Sequence, residues 1–210
     1  MSGQWFFFDD LLLFVSLINP VSKLLVVNIL AQEQPFRRVI KLCIASTLMA
    51  AFILLSFAAA GKFLLVHFLH IHLHSLKVVG GAVLVASGFS ALEKGRFLAD
   101  IETKKLSEAS IVPLASPLIA GPASITASIS QASLVGFWRT ASVLSVALAI
   151  NLVVMLLAPY ITRLLGRTGI LGPLVRITGM IVMAIGVELA LAGVGDWWLS
   201  VNAAAVAVHP

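Results

Sequence analysis

The chain has 210 residues, 60% of them hydrophobic and only 11% charged, with a mean hydropathy of +1.07. A water-soluble domain carries roughly 25% charged residues, so this composition excludes a fully polar surface and makes a bilayer the natural solvent. The net charge of +5 does not point to nucleic acid, because the basic residues lie in short segments between apolar runs, where they set membrane topology.

The first residues, MSGQWFFFDD, lack a positively charged leader region and carry Asp9 and Asp10, which argues against a cleaved signal peptide. Six apolar runs follow: Trp5–Ala31, Val39–Gly61, Lys77–Glu93, Ile111–Val135, Thr140–Tyr160 and Leu174–Gly195. A spanning helix needs roughly 20 apolar residues; the third run is on the short side. The first is interrupted by Asn19-Pro20, with Ser22 and Lys23 just beyond. The second holds Cys43, the only cysteine, so no internal disulfide can form. A loop with His67, His70, His72 and His74 precedes the third run. It lacks a cysteine or carboxylate to complete a metal site and reads as an interfacial loop.

The only long polar stretch, 93–110, reads as a linker. The fourth run is interrupted by Gly121-Pro122, and Ser124, Ser128 and Gln131 beyond it share one helical face, which can line a polar path or bond to neighbouring helices. The last run carries Glu188. A carboxylate in a membrane segment usually faces a cavity or a partner, which makes Glu188 a proton-coupling candidate; the alternative places it near the interface, with Gly195 marking the helix end.

The halves repeat. VGGAVLVASGF (79–89) aligns without gaps on ITGMIVMAIGV (177–187), matching Gly81 to Gly179 and Gly88 to Gly186. Each half reads as a broken helix, a helix and a glycine-paired helix. Three spans is an odd number, so the second copy enters the membrane from the opposite side, the inverted-repeat plan of many secondary transporters. The expected fold is an all-α membrane protein of six transmembrane helices in two inverted three-helix repeats. Its parts are a first repeat over 1–92, the linker 93–110, a second repeat over 111–198 and a tail over 199–210.

With the N-terminus outside, the cytoplasmic segments hold Arg37, Arg38, Lys41, Lys94, Arg96, Lys104, Lys105, Arg163, Arg167 and Arg176, against Lys62, Lys77 and Arg139 outside. This positive-inside bias predicts both termini outside.

Helix breaks are tolerated in membranes where protein or a water-filled cavity covers the freed backbone. Two at matching positions point to a substrate site formed by Asn19, Pro20, Ser22, Lys23, Gly121, Pro122, Ser124, Ser128 and Gln131. Half-helix N-termini suit a carboxylate, and carbonyl ends suit an ammonium or a cation. Lys23, a charge beside the first break, offers a contact for an anionic substrate group or for a carboxylate such as Glu188. No HExxH, no Gly-x-Ser-x-Gly and no aspartate pair placed to act as acid and base suggest an enzyme.

The stretches NPVSKLLVV, VPLASPLIAGPASI and GRTGILGPLVRITGMIVMAIGVELALAGV, together with the Gly80-Gly81 helix, resemble the MarC family of six-helix bacterial inner-membrane proteins over nearly the whole chain. That resemblance implies the LysE-type exporter grouping and a neutral amino acid as substrate, with no cofactor. It also equates the family's Asn-Pro, Gly-Pro and last-helix Glu with Asn19-Pro20, Gly121-Pro122 and Glu188. This chain departs from the family at Ser22 and Ala123, where glycines are usual. The alternatives are a carrier or flippase for an anionic, possibly lipid-linked, molecule using Lys23, and a non-transporting scaffold. The expected partners are a small-molecule substrate and the lipid bilayer, with no nucleic acid; a homo-oligomer stays open.

Overall fold

Proline at the first helical position supplies a ready φ and gives up an N–H that would be unpaired anyway. Both interruptions use it this way. In the computed structural model, which describes residues 2–63, 70–95, 119–168 and 170–208, α1 (Ser2–Ile18) stops at Asn19 and α2 (Pro20–Glu33) starts at once. Asn19 takes up the left-handed conformation, φ 51°, one of the few non-glycine residues to do so readily. After α3 (Phe36–Phe63) and α4 (Leu73–Lys94), α5 (Pro122–Val135) follows Gly121 in extended conformation. Helices α6 (Phe137–Thr168) and α7 (Leu171–Val208) complete the chain.

The described residues are all-α, and five segments are long and apolar enough to cross a membrane; the first runs through the Asn19-Pro20 break. Part of the fourth expected run, residues 111–118, lies outside the described residues, as does most of the linker. Large apolar side chains such as Phe52 (71% exposed) and Leu48 (65%) point outward, as lipid-facing residues do.

Three expectations change in detail. The short third run gains a turn, because α4 begins at Leu73. His74 therefore belongs to its first turn, where it stacks on His72 at 5.0 Å; His67 lies outside the described residues. Gly195 does not end the last helix. α7 continues to Val208, because an isolated glycine weakens a helix by only ~1 kcal/mol and Trp197, Trp198 and Leu199 beyond it keep the run apolar.

The repeat is visible in how α4 meets α7. A Cβ placed on Gly81 would lie 2.4 Å from the Gly186 carbonyl oxygen, and one on Gly88 would lie 2.5 Å from that of Gly179. Numbers rise along α4 as they fall along α7, so the two helices run antiparallel. The alignment that equates 81 with 179 and 88 with 186 turns the Gly81–Gly186 contact into the Gly179–Gly88 contact. The pairing is therefore unchanged when the repeats are exchanged, as a pseudo-two-fold axis requires. Gly193 extends the seam, its Cβ position 2.7 Å from the His74 carbonyl. Without a hydrophobic drive between helices in lipid, such backbone approach is what holds them together. Gly80, one residue before Gly81 and so turned by ~100°, faces α5 instead, next to Thr126 and Ala123.

Candidate site at the two helix breaks

The depth of each break follows from one polar cluster. Asp10 on α1 accepts from Gln131 Nε2 at 2.5 Å and from Arg139 at 3.0 Å, tying together α1, α5 and α6. Asn19 lies nine residues after Asp10, and Pro122 nine residues before Gln131. At ~1.5 Å per residue, both breaks sit ~14 Å inward from the same cluster. They share a core as well: Leu17 and Val21 beside the first break pack on the group that contains Ala123 beside the second, with Leu84, Ala91, Val175 and Val182.

From that depth α5 runs toward the Asp10 end. α2 runs the other way, since its Asn28 amide oxygen is 2.9 Å from the Thr162 hydroxyl, far along α6 from Arg139. Two oppositely directed half-helices thus begin at one level, and neither has a side-chain cap. The N–H of Val21 on α2, and those of Ala123 and Ser124 on α5, fall among the first-turn donors that a helix cannot satisfy itself.

Around them the polar residues divide by role. Lys23, 2% exposed, donates to the carbonyl oxygens of Ile18 and Asn19, the C-terminal end of α1. The charge read from sequence as an anion contact thus faces carbonyls at its own break. Ser22 donates to the Asn19 carbonyl at 2.8 Å, Ser124 to that of Ile119 at 3.4 Å and Ser128 to that of Ser124 at 2.7 Å. Each hydroxyl proton is used locally, leaving lone pairs as acceptors. Gln131 reaches Asp10 at the end of the polar face. Glu188 is exposed and is not brought to the breaks. It sits two residues, or ~200°, around α7 from Gly186 in the seam.

Two buried amide oxygens, Asn19 Oδ1 and Asn151 Oδ1, have no hydrogen-bond partner among the described residues. An unsatisfied buried polar atom costs about 1–3 kcal/mol. Asn151, unremarked in the sequence reading, lies between Arg139 and Thr162 on α6. Because Arg139 pairs with Asp10 and Thr162 lies beside Asn28, α6 runs parallel to α1 and α2 and carries Asn151 at about the level of Asn19.

A family model described as MarC family integral membrane protein matches residues 4–198. The chain belongs to the MarC family. Relatives of this MarC-family chain include a UPF0056 membrane protein of Pyrococcus horikoshii, 37% identical over 88% of this chain and 91% of that protein. Another, from Buchnera aphidicola, is 30% identical over 86% and 87%. A third, from Aquifex aeolicus, is 30% identical over 85% and 87%. No solved structure matches. The resemblance carried by the two breaks and the glycine helices is thus a family relationship, and the chain is an integral membrane protein.

Proposed function

We propose that this MarC-family protein is a membrane transporter of a small zwitterion, a neutral amino acid, bound between the two broken helices. One observation carries the reading: two uncapped half-helix N-termini start at the same depth beside a buried amide oxygen without a partner. The positive ends of α2 and α5 suit the substrate carboxylate. Asn19 Oδ1 and Asn151 Oδ1 suit its ammonium group, which can only donate. Lys23 is engaged with the carbonyls of Ile18 and Asn19, so the favourable anion sites are the helix N-termini, and a zwitterion fits better than a net anion. No group in this reading carries out a chemical step.

The test is ligand-dependent melting of the purified protein in detergent. Neutral amino acids are expected to raise the melting temperature in a saturable way, since binding to the native state stabilises it by ~2.7 kcal/mol at a hundredfold excess over Kd. Their decarboxylated amines and deaminated acids should not do so. Equal shifts with the acids alone would transfer support to the anion carrier.

The reading places both termini outside the cytoplasmic membrane. Two ion pairs, Asp10 with Arg139 and Lys77 with Asp196 at 2.7 Å, join residues that this reading assigns to the outer side. In a Cys43→Ala background, a cysteine at Ser200 should label with an impermeant maleimide in intact cells, and one at Ser107 only after lysis. The reverse pattern would invert the topology.

A further inference from the structure

A helix that ends inside a membrane leaves carbonyl oxygens at the negative end of its dipole without N–H partners. At the end of α1 the deficit is deepened by Pro20, which has no N–H to offer residue Ser16. Broken helices of secondary transporters commonly meet this need with a dissolved cation held by the carbonyl ends. Here the carbonyl of Ile18 receives the ammonium of Lys23, and so does that of Asn19, which also accepts the Ser22 backbone N–H at 3.2 Å. The lysine comes from the first turn of α2, so the same break that frees the carbonyls delivers the charge.

The oxygens gathered in this turn make a hard donor set. They are the two carbonyls and the Ser22 hydroxyl, 2.8 Å from the Asn19 carbonyl. Oxygen-only sets of this kind suit hard cations such as the alkali ions. Asn19 is 6% exposed and Ser22 4%, so the set lies inside the bundle.

We propose that the Lys23 ammonium is a tethered resident cation, occupying a carbonyl site that would otherwise take a free monovalent cation. The break is then ordered without a dissolved ion, and removal of the lysine side chain creates an alkali-ion site. This goes beyond the transport reading by stating what the carbonyl half of the break holds. Its test needs no transported substrate, so its failure and the failure of that reading are separable.

The experiment compares melting of the full-length protein in detergent, at fixed ionic strength, in sodium, lithium, potassium or N-methyl-D-glucamine chloride. The wild type should melt at the same temperature in all four. Lys23→Ala should melt lower in N-methyl-D-glucamine and recover at least half of that loss, saturably, in one of the alkali chlorides. Lys23→Met, which fills the space with an apolar chain, should melt lower in all four without recovery. A saturable alkali-ion requirement in the wild type, or a folded Lys23→Ala variant indifferent to all three ions, would overturn the proposal. A second measurement covers the case in which Lys23→Ala does not fold. In wild-type protein labelled with ¹⁵N-lysine, one ammonium resonance protected from hydrogen exchange is expected, and its absence would overturn the proposal equally.

Discussion

Replacing Gly81 by leucine is expected to lower the melting temperature of the purified protein by roughly 6–12 °C, from a loss of ~3 kcal/mol at ~2–4 °C per kcal/mol for a chain of this size. The new Cβ would meet the Gly186 carbonyl at 2.4 Å and the Ala190 backbone nitrogen at 2.7 Å. Backbone atoms cannot turn aside as a side-chain tip can, so α4 and α7 must separate. The loss then spreads along a seam that carries much of the association between the repeats. Because the seam is two-fold, Gly186→Leu should cost about as much, and so should the pair Gly88→Leu and Gly179→Leu. Gly172 sits seven residues before Gly179 but has nothing within 4 Å of its Cβ position. Gly172→Ala should therefore change stability little or raise it slightly, by the helix preference of alanine over glycine. Circular dichroism melts of the five variants check this. Equal behaviour of Gly81→Leu and Gly172→Ala would contradict the seam.

Asn19→Gly is expected to separate stability from function. Asn19 holds φ 51°, a region glycine enters without steric cost, and it buries an amide oxygen without a partner. Glycine relieves both, at the expense of its greater backbone entropy. The variant should fold and melt at least as high as the wild type, with a gain of about 1 kcal/mol or roughly 2–4 °C. Neutral amino-acid exchange should nonetheless fall about tenfold to a hundredfold, the value of a hydrogen bond of ~1.5–3 kcal/mol to a charged ammonium. Parallel melting and exchange measurements on one preparation check it. A stabler variant with undiminished exchange would remove Asn19 from the binding site.

How much of this was legible in the sequence depends on the range of the interaction. The break at Asn19-Pro20 and the helix start at Pro122 were, because proline acts on its own helix. The glycine pairs were too, because a seven-residue spacing keeps them on one face; their crosswise pairing, 81 with 186 and 88 with 179, needed the antiparallel geometry. The Asp10, Gln131 and Arg139 cluster was not legible, since it joins residues over a hundred positions apart whose partners no local pattern specifies. Asn151 stayed hidden for a related reason: one amide in an apolar run says nothing until its neighbours are known. Lys23 drew attention as a charge in an apolar run, but nearby backbone carbonyls were overlooked as its partners. Glu188 could have been placed better, because a residue two positions from Gly186 must lie on the far side of α7 from the seam. Gly195 misled as a helix stop because an isolated glycine costs a helix only ~1 kcal/mol and the residues after it stay apolar.

The central claim, that the two breaks form the site of a neutral amino-acid transporter, is tested most directly by counterflow in vesicles reconstituted with the purified protein. Vesicles loaded with an unlabelled neutral amino acid should accumulate the same labelled compound above equilibrium. Accumulation should be slowed about tenfold to a hundredfold in Asn19→Gly and absent from protein-free vesicles. Folded wild-type protein that gives no counterflow with any neutral amino acid, or that gives it undiminished with Asn19→Gly, would contradict the account.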